Sequence, residues 1–208
     1  MQIFTISYFP NVLTTSLLLR STSPRIESHE NFIKQSYRSR CHILGPNDIL
    51  TLSLPVQGGR KNTAIREILI DHSQRWADIQ WRSITSAYQK SPFFEYYEDY
   101  VRNVVYSKEQ RLFNFVLESM EVSFLMLQNK FNYKFTSSYK KVYTGDNKDY
   151  RKILNYNFHL PQPDIFTAKG YQQNFGKLFV PNLSVLDVIF CEGPNAIEII
   201  LDSSHEHN

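Results

Sequence analysis

A chain of 208 residues, 42% hydrophobic, 14% aromatic and 21% charged, has the length and composition of a folded globular protein and not of a disordered segment. A formal charge of +3 with no long basic stripe argues against nucleic acid, and no apolar run approaches the ~20 residues that span a bilayer. Cys41 and Cys191 lie far apart and form no CxxC, so neither a structural zinc site nor a disulfide scaffold is expected. The first ten residues carry no basic region and reach a proline early, unlike a secretory signal. The expectation is a soluble, reduced, cytoplasmic protein without metal or membrane span.

Gln2 to Tyr8 alternates apolar and polar residues and predicts a strand that ends at Phe9-Pro10. Asn11 caps a predicted helix to Leu19, and Pro24 to Ile26 is again extended. Strand, helix, strand in this order begins a βαβ unit and hence a parallel sheet, in which ligands collect at the carboxyl ends of strands. Tyr8-Phe9-Pro10 and His29-Glu30 both fall at such ends.

His29 to Cys41 is the stretch densest in groups that bind or move protons. Read as a strand, it puts Lys34, Arg38, Arg40 and His42 on one face and Tyr37, Ser39, Cys41 and Ile43 on the other. Such a row of cations suits a carboxylate or phosphate. It equally suits a charged edge strand that discourages aggregation. A hairpin follows, Arg38 to Leu44 turning at Gly45-Pro46-Asn47-Asp48 into Ile49 to Val56, with Pro55 marking an edge. Gln57 to Asn62 is a loop whose two glycines and two cations match no phosphate-loop motif.

Ile65 to Asp71 reads as a short strand, and Asp71 or Ser73 introduces a helix with Ala77, Trp81, Ile84 and Tyr88 as its apolar stripe. Ser91-Pro92 starts another, burying Phe93, Tyr97, Tyr100, Val101 and Val104. Lys108 to Lys130 carries two adjacent apolar rows, so it packs on more than one side. Phe131, Tyr133 and Phe135 alternate as a strand. Thr136 to Asn157 reads as a polar loop containing Asp149, Arg151 and Lys152, and His159 to Asp164 is irregular because of Pro161 and Pro163. A helix from Pro181 through Cys191 closes at Gly193-Pro194, and Ala196 to Leu201 adds a last amphipathic piece. No GxSxG, HExxH or kinase motif is present. Composition and spacing thus reach an α/β domain over residues 1–202, a disordered tail over 203–208, and a candidate anion-binding strand.

Several motifs together resemble those of the WbqC-like proteins. They are Tyr8-Phe9-Pro10; His29-Glu30-Asn31-Phe32-x-Lys34-Gln35-Ser36-Tyr37-Arg38-x-Arg40-Cys41; and Leu52-x-Leu54-Pro55-Val56. Further along are Trp81-x-x-Ile84-x-x-Ala87-Tyr88-x-x-x-Pro92-Phe93-Phe94-Glu95-Tyr96-Tyr97, then Tyr171-x-Gln173. The last is Phe179-x-Pro181-Asn182-Leu183-Ser184-x-Leu186-Asp187-x-x-Phe190-x-Glu192-Gly193-Pro194. The chain departs from the pattern at Ser39, at Thr14-Thr15-Ser16 in the first helix, and in lacking a Tyr-Leu-Ser-Gly segment. The resemblance implies a role in surface-polysaccharide (O-antigen) biosynthesis, as an acyl or aminoacyl (glycine) transferase. By looser analogy with adenylating folds it implies a Rossmann-like, mostly parallel sheet flanked by helices with an added β-hairpin. The substrate would be a small anion, a sugar nucleotide or an activated amino acid; cofactor and oligomeric state are left open. Lys34, Gln35, Arg38 and Arg40 would hold it, with Tyr8, Tyr171 and Gln173 on the acceptor side. His29, oriented by Glu30 or Asp187, would take a proton from the attacking group. The competing expectation is a non-catalytic binding or scaffold protein of the same pathway.

Overall fold

The computed structural model describes residues 1–57, 62–155 and 166–203. Along the chain run β1 (Gln2–Phe4), α1 (Val12–Leu19), β2 (Pro24–Ile26), β3 (Arg40–Leu44), β4 (Ile49–Ser53), β5 (Val56–Gln57) and β6 (Leu69–Ile70). They are followed by α2 (Trp76–Tyr88), α3 (Phe94–Val105), α4 (Leu112–Met126), β7 (Lys134–Phe135), β8 (Lys148–Asp149), α5 (Val185–Glu192) and α6 (Ala196–Asp202). The expected α/β class holds. A parallel sheet in the order β7-β2-β1-β8 is flanked by helices, and β3 and β4 form a separate antiparallel hairpin with Cys41 opposite Leu52.

The βαβ start forms for the reasons its sequence gives. Asn11 accepts the Thr14 amide on its side-chain oxygen at 2.9 Å and so satisfies a helix donor that has no partner in the first turn. α1 is buried on nearly all sides and packs against α6. Its Thr14, Thr15 and Ser16 are fully covered, and the Thr15 hydroxyl donates to the Asn11 carbonyl at 2.9 Å. A short hydroxyl side chain such as Thr15, which bonds back onto its own turn, fits this enclosed helix. β1 stops at Phe4, short of Tyr8, because Ser7 and Phe9 turn their amides to Met120 and Ser119 of α4.

Three expectations give way to tertiary packing. Ile65–Glu67 is a 3-10 turn, leaving β6 alone as strand, paired with β5. The α2 stripe is rotated: Trp76, Gln80, Ile84, Ala87 and Tyr88 are buried while Ala77 and Trp81 are half-buried, because Gln80 turns inward to meet Tyr8. In α3, Phe94 and Val105 are buried while Tyr100 stays exposed. The wide arc of α4 does pack on more than one side, against α3, α5 and the Ile65 turn. Gly193 ends α5 with φ 55°, and a Cβ there would stand 2.4 Å from the Phe93 ring, so the position needs glycine twice over. The tail expected from residue 203 begins with a buried Ser203 whose oxygen receives the Lys169 amide; the rest lies outside the described residues, as does the predicted irregular stretch at 159–164. No described helix is long and apolar enough to cross a membrane.

Candidate functional site

The chain steps from β1 through β2 to β7 on one side, then returns past β1 to place β8 on the other. Ligands in open parallel sheets bind outside the carboxyl ends where strand order reverses in this way. All four strands deliver polar side chains to that edge. β1 leads to Thr5, β2 to Glu27, Ser28, His29 and Glu30, β7 to Thr136, and β8 ends in Asp149 ahead of Arg151.

Glu27 is completely buried at this edge. Its carboxylate accepts from Thr136 Oγ1 at 2.8 Å, from the His29 amide at 2.8 Å and from Arg151 Nη1 at 3.2 Å. Arg151 also grips Asp149 through Nε at 2.8 Å and Nη2 at 2.7 Å, and gives Nη2 to the Lys140 carbonyl at 2.9 Å. Its guanidinium lies 5.0 Å from the Tyr143 ring centre and 5.3 Å from that of Tyr139. One planar cation thus compensates two carboxylates, the geometry in which arginine outperforms lysine. Burial works against the Asp149 charge, but the side-chain and backbone hydrogen bonds from Arg151 outweigh it and hold the carboxyl below its ordinary range. The Arg151 pKa is raised in turn, chiefly by its bond to Asp149.

His29 is exposed, and its Nε2 lies 3.0 Å from the Thr136 carbonyl. A carbonyl oxygen only accepts, so Nε2 carries the hydrogen and the neutral ring presents Nδ1 as its basic nitrogen. The group that orients His29 is therefore a backbone carbonyl, where sequence reasoning expected Glu30 or Asp187. Glu30 is instead committed to Arg38, which donates Nε to Oε1 at 2.8 Å and Nη2 to Oε2 at 2.6 Å, while Thr5 donates to Oε1 at 2.5 Å. Both members of this pair are buried.

The cation strand expected over His29–Cys41 does not form. Asn31 makes an isolated bridge to Ala64, the chain then turns through 34–39, and β3 begins only at Arg40. Turning lets Gln35 adopt φ 56° and folds Arg38 inward onto Glu30, away from Lys34 and Arg40. Lys34 and Gln35 are exposed, Arg40 is half-buried on the hairpin, and none of the three has a side-chain partner among the described residues. Cys41 is buried and burial pushes its thiol well above the ordinary range, so it is a packing residue and not a nucleophile.

The remaining site residues gather elsewhere. Asp187, in the first turn of α5, is fully buried and accepts from Tyr88 Oη at 2.8 Å, Tyr171 Oη at 2.6 Å and Gln173 Nε2 at 2.9 Å. No cation is among these donors. Burial raises the Asp187 pKa, and the three hydrogen bonds only partly offset it. Nearby burial, with Asp187 second, pushes Cys191 up to about 12. Tyr171 and Gln173 also line a cavity of about 210 Å³ with Phe175, Lys177 and Phe179. Tyr8 is fully covered by Phe9 and Phe115, its hydroxyl donating to Gln80 Oε1 at 2.7 Å. Phe9 behind it holds φ 34°, a conformation costly for an aromatic residue, pinned by Ser119 Oγ on its amide and Ser184 Oγ on its carbonyl.

Sequence reasoning missed Glu27, Thr136, Tyr88 and the part played by Arg151. Glu27 had a usable signal, since it directly follows a predicted strand of a parallel sheet; Tyr88 looked like any core aromatic. Among the described residues no three His, Cys, Asp or Glu side chains stand together as a cation site would require.

Compared with known proteins, the chain matches the model of the WbqC-like protein family over residues 7–170 and 156–199. No curated protein and no solved structure gave a significant match.

Proposed function

Because the chain belongs to the WbqC-like protein family, we propose that it is a cytoplasmic acyl or aminoacyl transferase of surface-polysaccharide biosynthesis that works at the carboxyl edge of its parallel sheet. The observation that supports this reading is the exposed His29 imidazole, tethered through Nε2–H to Thr136 and leaving Nδ1 available. In the reaction, the amino or hydroxyl group of a sugar acceptor gives its proton to Nδ1 as it attacks the carbonyl carbon of an activated acyl donor. The new C–N or C–O bond forms and the bond to the donor's leaving group breaks. Glu27, Arg151 and Asp149 fix the strand ends around the imidazole, and Glu30 with Arg38 fixes the turn behind it. Lys34, Gln35 and Arg40 remain as donors for the anionic substrate. The protein acts as one domain over residues 1–202.

The test is transfer of labelled glycine, supplied with ATP, to amino- and hydroxyl-bearing nucleotide sugars. General-base removal costs about 10²- to 10⁴-fold. His29→Ala should therefore lose at least about a hundredfold in rate at an unchanged melting temperature. Equal transfer by both proteins would end the role of His29.

A second reading, a non-catalytic ligand-binding or scaffold protein of the same pathway, is favoured by the Arg38–Glu30 pair. There a buried cation expected to face a ligand is spent on holding the fold. Saturable binding of a nucleotide sugar without any transfer would establish it.

A further inference from the structure

Beside the His29 edge, a cavity of about 190 Å³ opens between β2 and the segment that follows β7. At the ~30 Å³ that a water occupies in the liquid, this is room for roughly six waters, or for one phosphate group and part of what it is attached to. Its wall carries Met1, Phe135 and six polar or charged side chains, Arg25, Lys140, Ser137, Ser138, Thr136 and Tyr143. Two of these six are already spoken for: Thr136 and Tyr143 give their hydroxyl hydrogens to Glu27, at 2.8 and 3.5 Å. The donors of Arg25, Ser137, Ser138 and Lys140 have no partner among the described residues. None of these four side chains makes a hydrogen bond or ion pair with a described residue, although the Lys140 ammonium lies 5.9 Å from the Tyr143 ring centre.

Arg25 decides the character of the cavity. It is only half-exposed, on a sheet strand, yet its guanidinium pairs with no carboxylate among the described residues. By position the candidates are Glu27, two residues further along the same extended segment, and Asp149, two strands away in the same cross-strand row with Ile3 between them, roughly 10 Å at the backbone. Arg151 already claims Asp149 on two sides. Glu27 is likewise saturated by Arg151, Thr136 and the His29 amide. Two side-chain cations and two hydroxyl donors therefore face one cavity, and no carboxylate among the described residues is paired with them. Paired side-chain cations suit the −1.5 to −2 charge of a phosphate group better than the single charge of a carboxylate, and a planar guanidinium binds phosphate oxygens two at a time.

We propose that this cavity, built by Arg25, Ser137, Ser138 and Lys140, is a binding site for a phosphate group. It deepens the reading above: Thr136 belongs both to this wall and to the His29 tether, so a phosphate seated here belongs to a substrate that reaches the imidazole. The substrate is then a phosphate-bearing molecule.

The experiment reads binding alone, by thermal shift and calorimetry on the full chain. Inorganic phosphate is titrated against acetate and chloride at matched ionic strength, and glucose 1-phosphate and UDP are added as further arms. Ligands that bind only the native state raise its melting temperature in a saturable way. Wild type should respond to phosphate and not to acetate or chloride. Lys140→Ala, at an exposed position that leaves the fold alone, should weaken phosphate by about three- to tenfold, and Arg25→Gln by about tenfold or more. The stronger of the two organic ligands identifies the carrier of the phosphate. An equal response to acetate, or identical phosphate affinity in wild type and Lys140→Ala, overturns the site even if Arg25→Gln fails to fold. Phosphate binding retained in His29→Ala, with transfer absent from every protein tested, would leave this site standing while the transferase reading falls.

Discussion

Two buried carboxylate clusters in this molecule solve the same electrostatic problem in opposite ways. At the sheet edge, Glu27 and Asp149 are compensated by the Arg151 guanidinium. In the first turn of α5, Asp187 is surrounded by Tyr88, Tyr171 and Gln173, all neutral donors. A cation holds a neighbouring carboxyl in its charged form, whereas burial among neutral donors leaves the desolvation penalty largely standing. Accordingly Asp149 sits below its ordinary pKa and Asp187 above it. The sheet edge is a fixed ionic frame; the α5 cluster is a place where a proton can reside.

The most drastic way to break this contrast is to remove the shared cation. Arg151→Met should leave two carboxylates uncompensated, one of them fully buried, and cost about 3–5 kcal/mol, read as a lower midpoint in urea unfolding. Tyr88→Phe takes one donor from Asp187 and should cost less, about 1–3 kcal/mol in the same measurement. Tyr8→Phe removes a neutral hydrogen bond to Gln80 and should cost about 1 kcal/mol or less.

The pH dependence sharpens the comparison because the two signs differ. Asp187 holds its proton more tightly folded than unfolded, so its contribution is full below the ordinary value of 3.8 and is lost as pH rises through its raised folded pKa. Asp149 does the reverse: its contribution is full above 3.8 and is lost as pH falls through its lowered folded pKa. In urea midpoints measured against pH, Asp187→Asn should remove a decline above pH 3.8, and Asp149→Asn should remove a decline below it. The two variants giving the same profile would contradict the assignment of cation and neutral shells.

What the sequence made legible follows from how far apart the determining residues lie. The βαβ start and the β3–β4 hairpin rest on near neighbours, Asn11 capping Thr14 and the Gly45–Asp48 turn, so pattern alone predicts them. The His29–Cys41 stretch was visible as a concentration of functional groups. Its geometry was not, because period-2 reasoning assumed a strand where Arg38 turns back to Glu30, eight residues earlier. β8 is two polar residues, Lys148–Asp149, and carries no hydrophobic alternation to announce it. Arg151 meets Glu27 across 124 positions and Tyr88 meets Asp187 across 99, and no local signal encodes such pairs. The order of the family's motifs was legible throughout because it is a property of the sequence itself.

On the proposed reading, chemistry takes place at the carboxyl edge of the parallel sheet. The most direct test is to follow the backbone amides of the labelled protein while sugar nucleotides, adenine nucleotides and amino acids are titrated in turn. The account predicts that at least one of them shifts amides concentrated at residues 27–30, 136–138 and 149–151. Shifts confined to the Tyr171–Phe179 cavity, or no shifts with any of these ligands, would contradict it.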